Sequence, residues 1–301
     1  MPSVPFPKKA LTLREQVELL RSRGMTVADE ALAEHYLGFI NYYRLAAYCL
    51  PFEADHTTHT FQSGTTFERV LDHYVFDRNL RVLLIDAIER VEVAVRTQFA
   101  YQLAHAYGPH ALLEARLFRG KGSRWSYRED RQKLEREVRD SRETFVQHLR
   151  EKYAESLPPI WAAVEIMTLG QLSKWYANLA RSGDRNLVAR VFDFDETNLA
   201  SFLHHLVIVR NLCAHHSRVW NRQFTFSLKI PRQRPVAVRS SLNPAAQRKL
   251  YNTLVILAYF LDTVSPGHHW KRRLQDLLQD HSVCEAEMGF PADWRTRAIW
   301  K

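Results

Sequence analysis

TNLASFLHHLVIVRNLCAHHSRVWNR, residues 197–222, is the segment from which the architecture can be built outward. Leu199, Phe202, Leu203, Leu206, Val209 and Leu212 recur at three- and four-residue steps, the period of one apolar helical face. Thr197 is placed to cap the start of this helix by accepting a backbone N–H. At the other end the apolar run meets Arg210, Asn211, His215, His216, Arg218, Asn221 and Arg222. A helix that is apolar along its length and cationic at its tip can offer that tip to an anion. The same cations also suit a helix C-terminus for their own sake, because they oppose the macrodipole. Spacing alone leaves both readings standing.

The rest of the chain is consistent with a helical protein. Its 301 residues include only 10 glycines, and long stretches carry helical periodicity, so the expected fold class is all-α. This length allows one or two domains and a substantial core. Lys and Arg number 42 against 33 Asp and Glu, a formal net charge of +9 that fits a polyanionic partner as well as simple solubility. Cys49, Cys213 and Cys284 are an odd, widely spaced trio without a CxxC pair, expected as free thiols in a reducing compartment. The opening MPSVPFPKKA lacks the apolar core of a signal peptide, and no run approaches membrane-spanning length. The expectation is a soluble, cytoplasmic protein with no membrane partner.

Taken in order, Thr12 and Glu15 form a capping box, which starts a helix at Leu13 that should stop near Gly24. A second helix after Asp29 runs into the aromatic segment 38–52, whose Phe39, Tyr42, Tyr43, Tyr48 and Phe52 either fill a core or stack on bases. Residues 53–64, with His56 and His59, read as a polar loop. The longest helix is expected over about 67–106, with Leu80, Leu84, Ile88, Val91, Val95, Phe99 and Leu103 as a continuous apolar stripe. Glu89, Glu92 and Arg96 share a face beside it, and Arg78 falls on the same side. They form either an exposed salt-bridged face or a buried acid–arginine set that orients a histidine.

Residues 124–152 read as a helical arm, polar all round, in which Arg124, Arg128, Arg131, Lys133, Arg136, Arg139, Arg142 and Arg150 alternate with acids. Pro158 and Pro159 restart the chain. Two helical stretches hinged around Gly170 follow over 160–183, and then a helix from Asp184. QFTFSLKI, residues 223–230, alternates with period two and reads as a short strand or an extended tail, followed by the basic RQRPVAVR. Further helices are expected from Asn243–Pro244 to about Val264 and over 270–280. Three regions emerge: 1–64, a core over 65–264 that includes the charged arm, and a C-terminal helix and tail over 265–301.

The chemistry narrows quickly. His204 and His215 face alike but stand about 16 Å apart on one helix, and no Cys or His partner has ligand spacing, so no metal site is expected. There is no glycine-rich phosphate loop, G-x-S-x-G elbow or H-E-x-x-H. Arg210 and His215 remain, with Asn211 one turn before the histidine. An arginine can grip a phosphate in bidentate fashion, and an imidazole can move a proton near neutral pH. Together they suffice, without metal or other cofactor, for attack of an RNA 2′-hydroxyl on its own phosphate. On a regular helix the two residues point about 140° apart. They converge only if the helix distorts or if two copies complete one site between them.

RNLCAH, residues 210–215, resembles the HEPN signature of an arginine, a short spacer and a histidine. INYYRLAAY at 40–48, FDRNLRVLLIDAIERVEVAVRT at 76–97, PPIWAAVEIMTLGQL at 158–172, RNLCAHHSRVWNR at 210–222 and MGFPADWRTRAIW at 288–300 together resemble the AbiD/AbiF-type abortive-infection family, in the expected order and over nearly the whole chain. The resemblance implies a multi-helix HEPN-type bundle with a helical N-terminal elaboration and a short C-terminal tail. It implies a bacterial anti-phage, toxin-like protein, a metal-independent ribonuclease whose motifs meet across a homodimer. Single-stranded RNA is the implied target and a structured non-coding RNA a further partner. Carried over, Arg210 holds the scissile phosphate, His215 acts as acid/base or phosphate ligand and Asn211 orients the site. Glu92, Arg96 and His216 support it, and Arg218, Arg222 and Arg78 contact RNA. No second such motif is found in the chain, since Arg96 and His105 are separated by eight residues. The rival readings are an RNA-binding module that does not cut and a helical partner-binding protein in which the charge is incidental.

Overall fold

Residue 5, residues 9–122 and residues 125–301 are described by a computed structural model. Arg124 and most of the first eight residues lie outside them. The described residues form 13 α-helices, and the chain is all-α apart from two hairpins of very short strands. No helix among the described residues is long and apolar enough to cross a membrane. The chain divides into two compact units.

The first unit comprises residues 1–80 and 275–284. α1 (Leu13–Ser22) starts at the capping box, in which Glu15 N donates to Thr12 Oγ1 at 3.2 Å and Thr12 N to Glu15 Oε2 at 2.6 Å. α2 (Glu30–Ile40) is capped by Asp29. The chain then breaks at Asn41, whose φ of 68° lies in the left-handed region and whose side chain caps α3 (Tyr42–Cys49). Of the aromatic segment, Tyr48 and Phe52 are core, whereas Phe39 and Tyr43 are exposed. Residues 53–64 are more ordered than a loop: β1 (Glu53–Asp55) pairs with β2 (Thr60–Phe61), and His56 and His59 both reach the buried Glu53 carboxylate, at 2.9 and 3.2 Å. α4 (Phe67–Tyr107) begins in this unit, where Tyr48 Oη donates to the buried Asp77 at 2.6 Å.

The second unit, residues 81–274 and 285–301, carries the remainder of α4, whose apolar stripe is fully buried as its period requires. β3 (Lys121–Gly122) and β4 (Trp125–Ser126) form a small hairpin. The charged stretch is two helices, α5 (Tyr127–Asp140) and α6 (Thr144–Lys152), and is not polar all round: Leu134, Val138 and Val146 are buried, and the charges solvate the other faces. α7 (Ile160–Ile166) and α8 (Leu169–Ala177) are separated at Met167–Thr168, where Thr168 and Gln171 form a second capping box. Gly170 therefore sits in the first turn of α8 and is no hinge.

α9 (Ser182–Ala189) precedes α10 (Glu196–Ala214), the long helix anticipated from the 197–222 segment. α10 packs chiefly on α8 and α9. Residues 223–230 form no strand, because their backbone is taken up elsewhere: Phe224 N donates to Arg248 O at 2.8 Å and Lys229 N to Ser201 Oγ at 3.0 Å. α11 (Val236–Ser241), α12 (Tyr251–Val264) and α13 (Trp270–Asp280) complete the helices. The tail is pinned through buried Trp294 and Trp300. Trp300 Nε1 donates to Tyr251 Oη at 3.2 Å, and Arg297 donates to the Leu242 carbonyl at 2.8 Å.

Candidate functional site

The start of α10 is capped by Asp195, and Thr197 lies one step inside the first turn. Asp195 Oδ1 accepts from Thr197 N at 2.9 Å and Asn198 N at 2.8 Å. An Asp at this position also places negative charge against the positive end of the helix, which makes it the stronger cap. Arg185 bonds Glu196 at 3.2 Å and Tyr176 Oη donates to the Arg185 carbonyl at 3.1 Å, fixing this end to α8 and α9. Leu199, Phe202, Leu203, Leu206 and Val209 are buried along the helix, and Leu212 is half-buried as the face runs out. His205 is core: its Nε2 lies 2.8 Å from Thr253 Oγ1, and burial pushes its pKa down to about 4. His204 is exposed, with its ring edge-on to Phe226.

The C-terminal tip has a defined turn. His215 is the C-cap, with its N–H on the Asn211 carbonyl at 2.9 Å. His216 follows with φ of 55°, its N–H donating to Cys213 O at 3.0 Å, while Ser217 N donates to Leu212 O at 2.8 Å. These two crossed bonds make a Schellman ending with a histidine where glycine is usual. The turn sends the chain off the helix axis. Arg218 then faces the ring of buried Trp220 at 5.9 Å, and Arg222 donates to the Arg218 carbonyl at 3.1 Å.

Arg210, Asn211, His215 and His216 are all exposed. Arg210 Nη1 is 3.4 Å from Asn211 Oδ1. α10 continues unbroken from Arg210 to Ala214, so the helix does not distort to bring Arg210 and His215 together. No hydrogen bond or ion pair joins the two among the described residues.

Arg96 Nη2 lies 2.5 Å from Glu92 Oε1 and 2.9 Å from the Met167 carbonyl, and its Nη1 lies 3.4 Å from Glu165. Burial raises the Glu92 pKa above the usual carboxylate value, Arg96 and then Arg210 pull it back down, and Glu89 and Glu165 push it up. Arg210 is thus within electrostatic reach of Glu92. Glu92, Arg96 and Glu165 form one charged cluster drawn from α4 and α7, and Arg210 on α10 acts on it through its charge. Glu89 is exposed, and Arg78 is exposed on the part of α4 that belongs to the first unit. Glu165 and the Met167 carbonyl were not anticipated. The available signal was a lone charge inside the apolar run IWAAVEIM.

Cavities of about 430, 400 and 640 Å³ lie beside Lys249, Trp161 and Arg190, and none is lined by Arg210, Asn211 or His215. No group of three or more His, Cys, Asp or Glu side chains is arranged to hold a metal ion among the described residues. Cys49 and Cys213 are buried and Cys284 is exposed, all as free thiols, and burial pushes the Cys49 pKa up to about 12.

No curated protein and no solved structure matches the chain. A family model described as Abi-like protein matches residues 35–221. The matched span is more than half of the chain and holds the Glu92–Arg96 pair, the PPIW segment and the whole of α10 with its terminal turn, so the chain belongs to the Abi-like protein family.

Proposed function

We propose that this chain is a metal-independent endoribonuclease of the HEPN type, acting in the cytoplasm as the effector of an abortive-infection system. The observation that carries the reading is the tip of α10. An exposed arginine with an adjacent amide stands one turn from an exposed imidazole, and the arginine's charge acts on Glu92 of the Glu92–Arg96 pair. Exposed side chains at a helix tip suit a polymer better than a small molecule, which calls for a concave pocket. The net charge of +9 suits a polyanion.

In this mechanism Arg210 grips the non-bridging oxygens of the scissile phosphate. The 2′-hydroxyl of the preceding ribose attacks phosphorus. His215 takes the hydroxyl proton or delivers one to the departing 5′-oxygen, and solvent water exchanges the other. The P–O5′ bond breaks as the P–O2′ bond forms, so the products carry a 2′,3′-cyclic phosphate and a 5′-hydroxyl. Arg210 and His215 diverge on one copy of α10, and the reading therefore includes a homodimer in which the arginine of one copy meets the histidine of the other. Asn211 orients the site, His216 shapes its turn, and Arg218, Arg222 and Arg78 meet the flanking backbone. Single-stranded RNA is the target, and a structured non-coding RNA is a candidate regulatory partner.

The test is cleavage of labelled single-stranded RNA in EDTA by wild type, Arg210→Ala and His215→Ala, with product ends mapped. Cleavage by wild type alone, leaving cyclic phosphate ends, is the expected result. Equal cleavage by the variants overturns the assignment. The divergence of Arg210 and His215 also favours a second reading, an RNA-binding module that does not cut. Wild type that shifts RNA in a gel and leaves it intact would select that one.

A further inference from the structure

The PPIW segment, residues 158–161, has no part in the chemistry above, yet it borders a site of its own. Ile160 N donates to the Pro109 carbonyl at 2.7 Å, which fixes the start of α7 to the chain leaving α4. Pro158 and Trp161 line a cavity of about 400 Å³ together with His110, Arg150, Tyr153 and Glu155. Trp161 is 54% exposed and Tyr153 51% exposed. Two large rings left half in water at one cavity offer apolar faces that an aromatic partner can cover.

The polar groups say what that partner is. His110 and Glu155 both line the cavity with part-exposed side chains, and His110 Nε2 stands 3.9 Å from Glu155. Arg150 brings positive charge to the rim, and Lys152 lies 5.6 Å over the Tyr153 ring. A purely apolar occupant would desolvate the His110 and Glu155 side chains with no bond in return. A nucleobase has π faces for the rings and an edge of donors and acceptors for His110 and Glu155. Its sugar-phosphate suits the Arg150 side.

The cavity also shares α7 with the charged cluster. Trp161 and Glu165 are four residues apart on α7, both exposed, hence one turn or about 6 Å apart on the same face. Glu165 reaches Arg96 at 3.4 Å, and Arg96 pairs with Glu92, on which the charge of Arg210 acts. The geometry points to a base-binding subsite between Tyr153 and Trp161, which takes a nucleobase of the same RNA strand whose phosphate lies at Arg210. This inference rests on the RNA reading of that site.

The experiment uses a 2′-O-methyl oligoribonucleotide, which lacks the attacking hydroxyl and so reports binding alone. Its affinity is measured for wild type, Trp161→Ala, Trp161→Phe and His110→Ala. A matched set carrying single abasic positions is measured in parallel. Removing one stacked ring should weaken binding about 10-fold, and Trp161→Phe should restore most of it. One abasic position should cost wild type a similar factor and cost Trp161→Ala nothing further. If the oligonucleotide binds and Trp161→Ala matches wild type at every abasic position, the subsite is wrong while the RNA reading stands. If the oligonucleotide does not bind wild type, both fall.

Discussion

Arg96 and Glu92 meet at 2.5 Å across one turn of α4, with side chains only 12% and 18% exposed. The same guanidinium also serves the Met167 carbonyl and Glu165, so it ties the end of α7 to α4 behind Arg210. A planar fork can serve three acceptors where an ammonium cannot hold the same geometry. Arg96→Ala should therefore cost about 2 kcal/mol, because it strands a partly buried carboxylate, and Arg96→Lys should recover only part of that. Adding Glu92→Gln to Arg96→Ala should return stability, since the unpaired charge is then gone. Urea denaturation of the four proteins at pH 7 checks this. Equal midpoints for wild type and Arg96→Ala would remove the pair from any structural role.

The helix that carries the site was readable from its period, because burial along α10 and α4 follows residue spacing alone. What was not readable came from tertiary contacts between segments far apart in sequence. Glu165 meets Arg96 only because α7 packs beside α4. The charged stretch around Arg131 reads as polar all round because four residues, Tyr127, Leu134, Val138 and Val146, suffice to seat it. The turn at Met167–Thr168 was hidden by Gly170, which looked like the breaker, while the capping box one step earlier set the boundary. The split of Arg210 from His215 followed from helix geometry, and α10 keeps it.

The cap of α10 separates two neighbours with similar side chains. Asp195 satisfies two otherwise orphaned N–H groups, and Thr197 supplies neither bond. Asp195→Ala should destabilise by about 1 to 2 kcal/mol, whereas Thr197→Ala should fall within about 0.5 kcal/mol of wild type. Thermal or urea unfolding of both variants decides it. A larger loss at Thr197 would put the cap where the sequence first suggested.

Acid should weaken the fold through His205. Its folded-state pKa of about 4 lies below the unfolded value near 6.5. Below pH 6.5 the unfolded chain binds a proton that the folded chain refuses, so stability is full above that pH and falls as pH drops toward 4. The loss attributable to this group is about 2 kcal/mol by pH 5 and about 3 kcal/mol near pH 4. Burial lowers the His73 pKa too, with the same sign. His205→Gln can keep a bond to Thr253 and cannot titrate. Its stability at pH 7.5 is lower from altered packing, but its decline between pH 7.5 and 5 should be shallower than that of wild type by about 2 kcal/mol. Parallel declines would mean that His205 takes up its proton without cost.

The turn after α10 gives a test that separates shape from chemistry. His216 holds a φ of 55°, a conformation in which a side chain is strained and glycine is not. The two backbone bonds of the Schellman ending need only the backbone of residues 216 and 217. His216→Gly relieves that strain, worth about 0.5 to 1 kcal/mol, against the loss of the interaction that the His216 side chain makes, and His215, Asn211 and Arg210 should keep their places. If His216 contributes its turn and no proton, RNA cleavage by His216→Gly should stay within about twofold of wild type, whereas His215→Ala should abolish it. Stability by urea denaturation and cleavage rate are read on the same preparations. A variant more stable than wild type yet unable to cleave would move His216 from the frame of the site into its chemistry. A variant less stable than wild type would mean that the His216 side chain makes a contact worth more than the strain of its backbone.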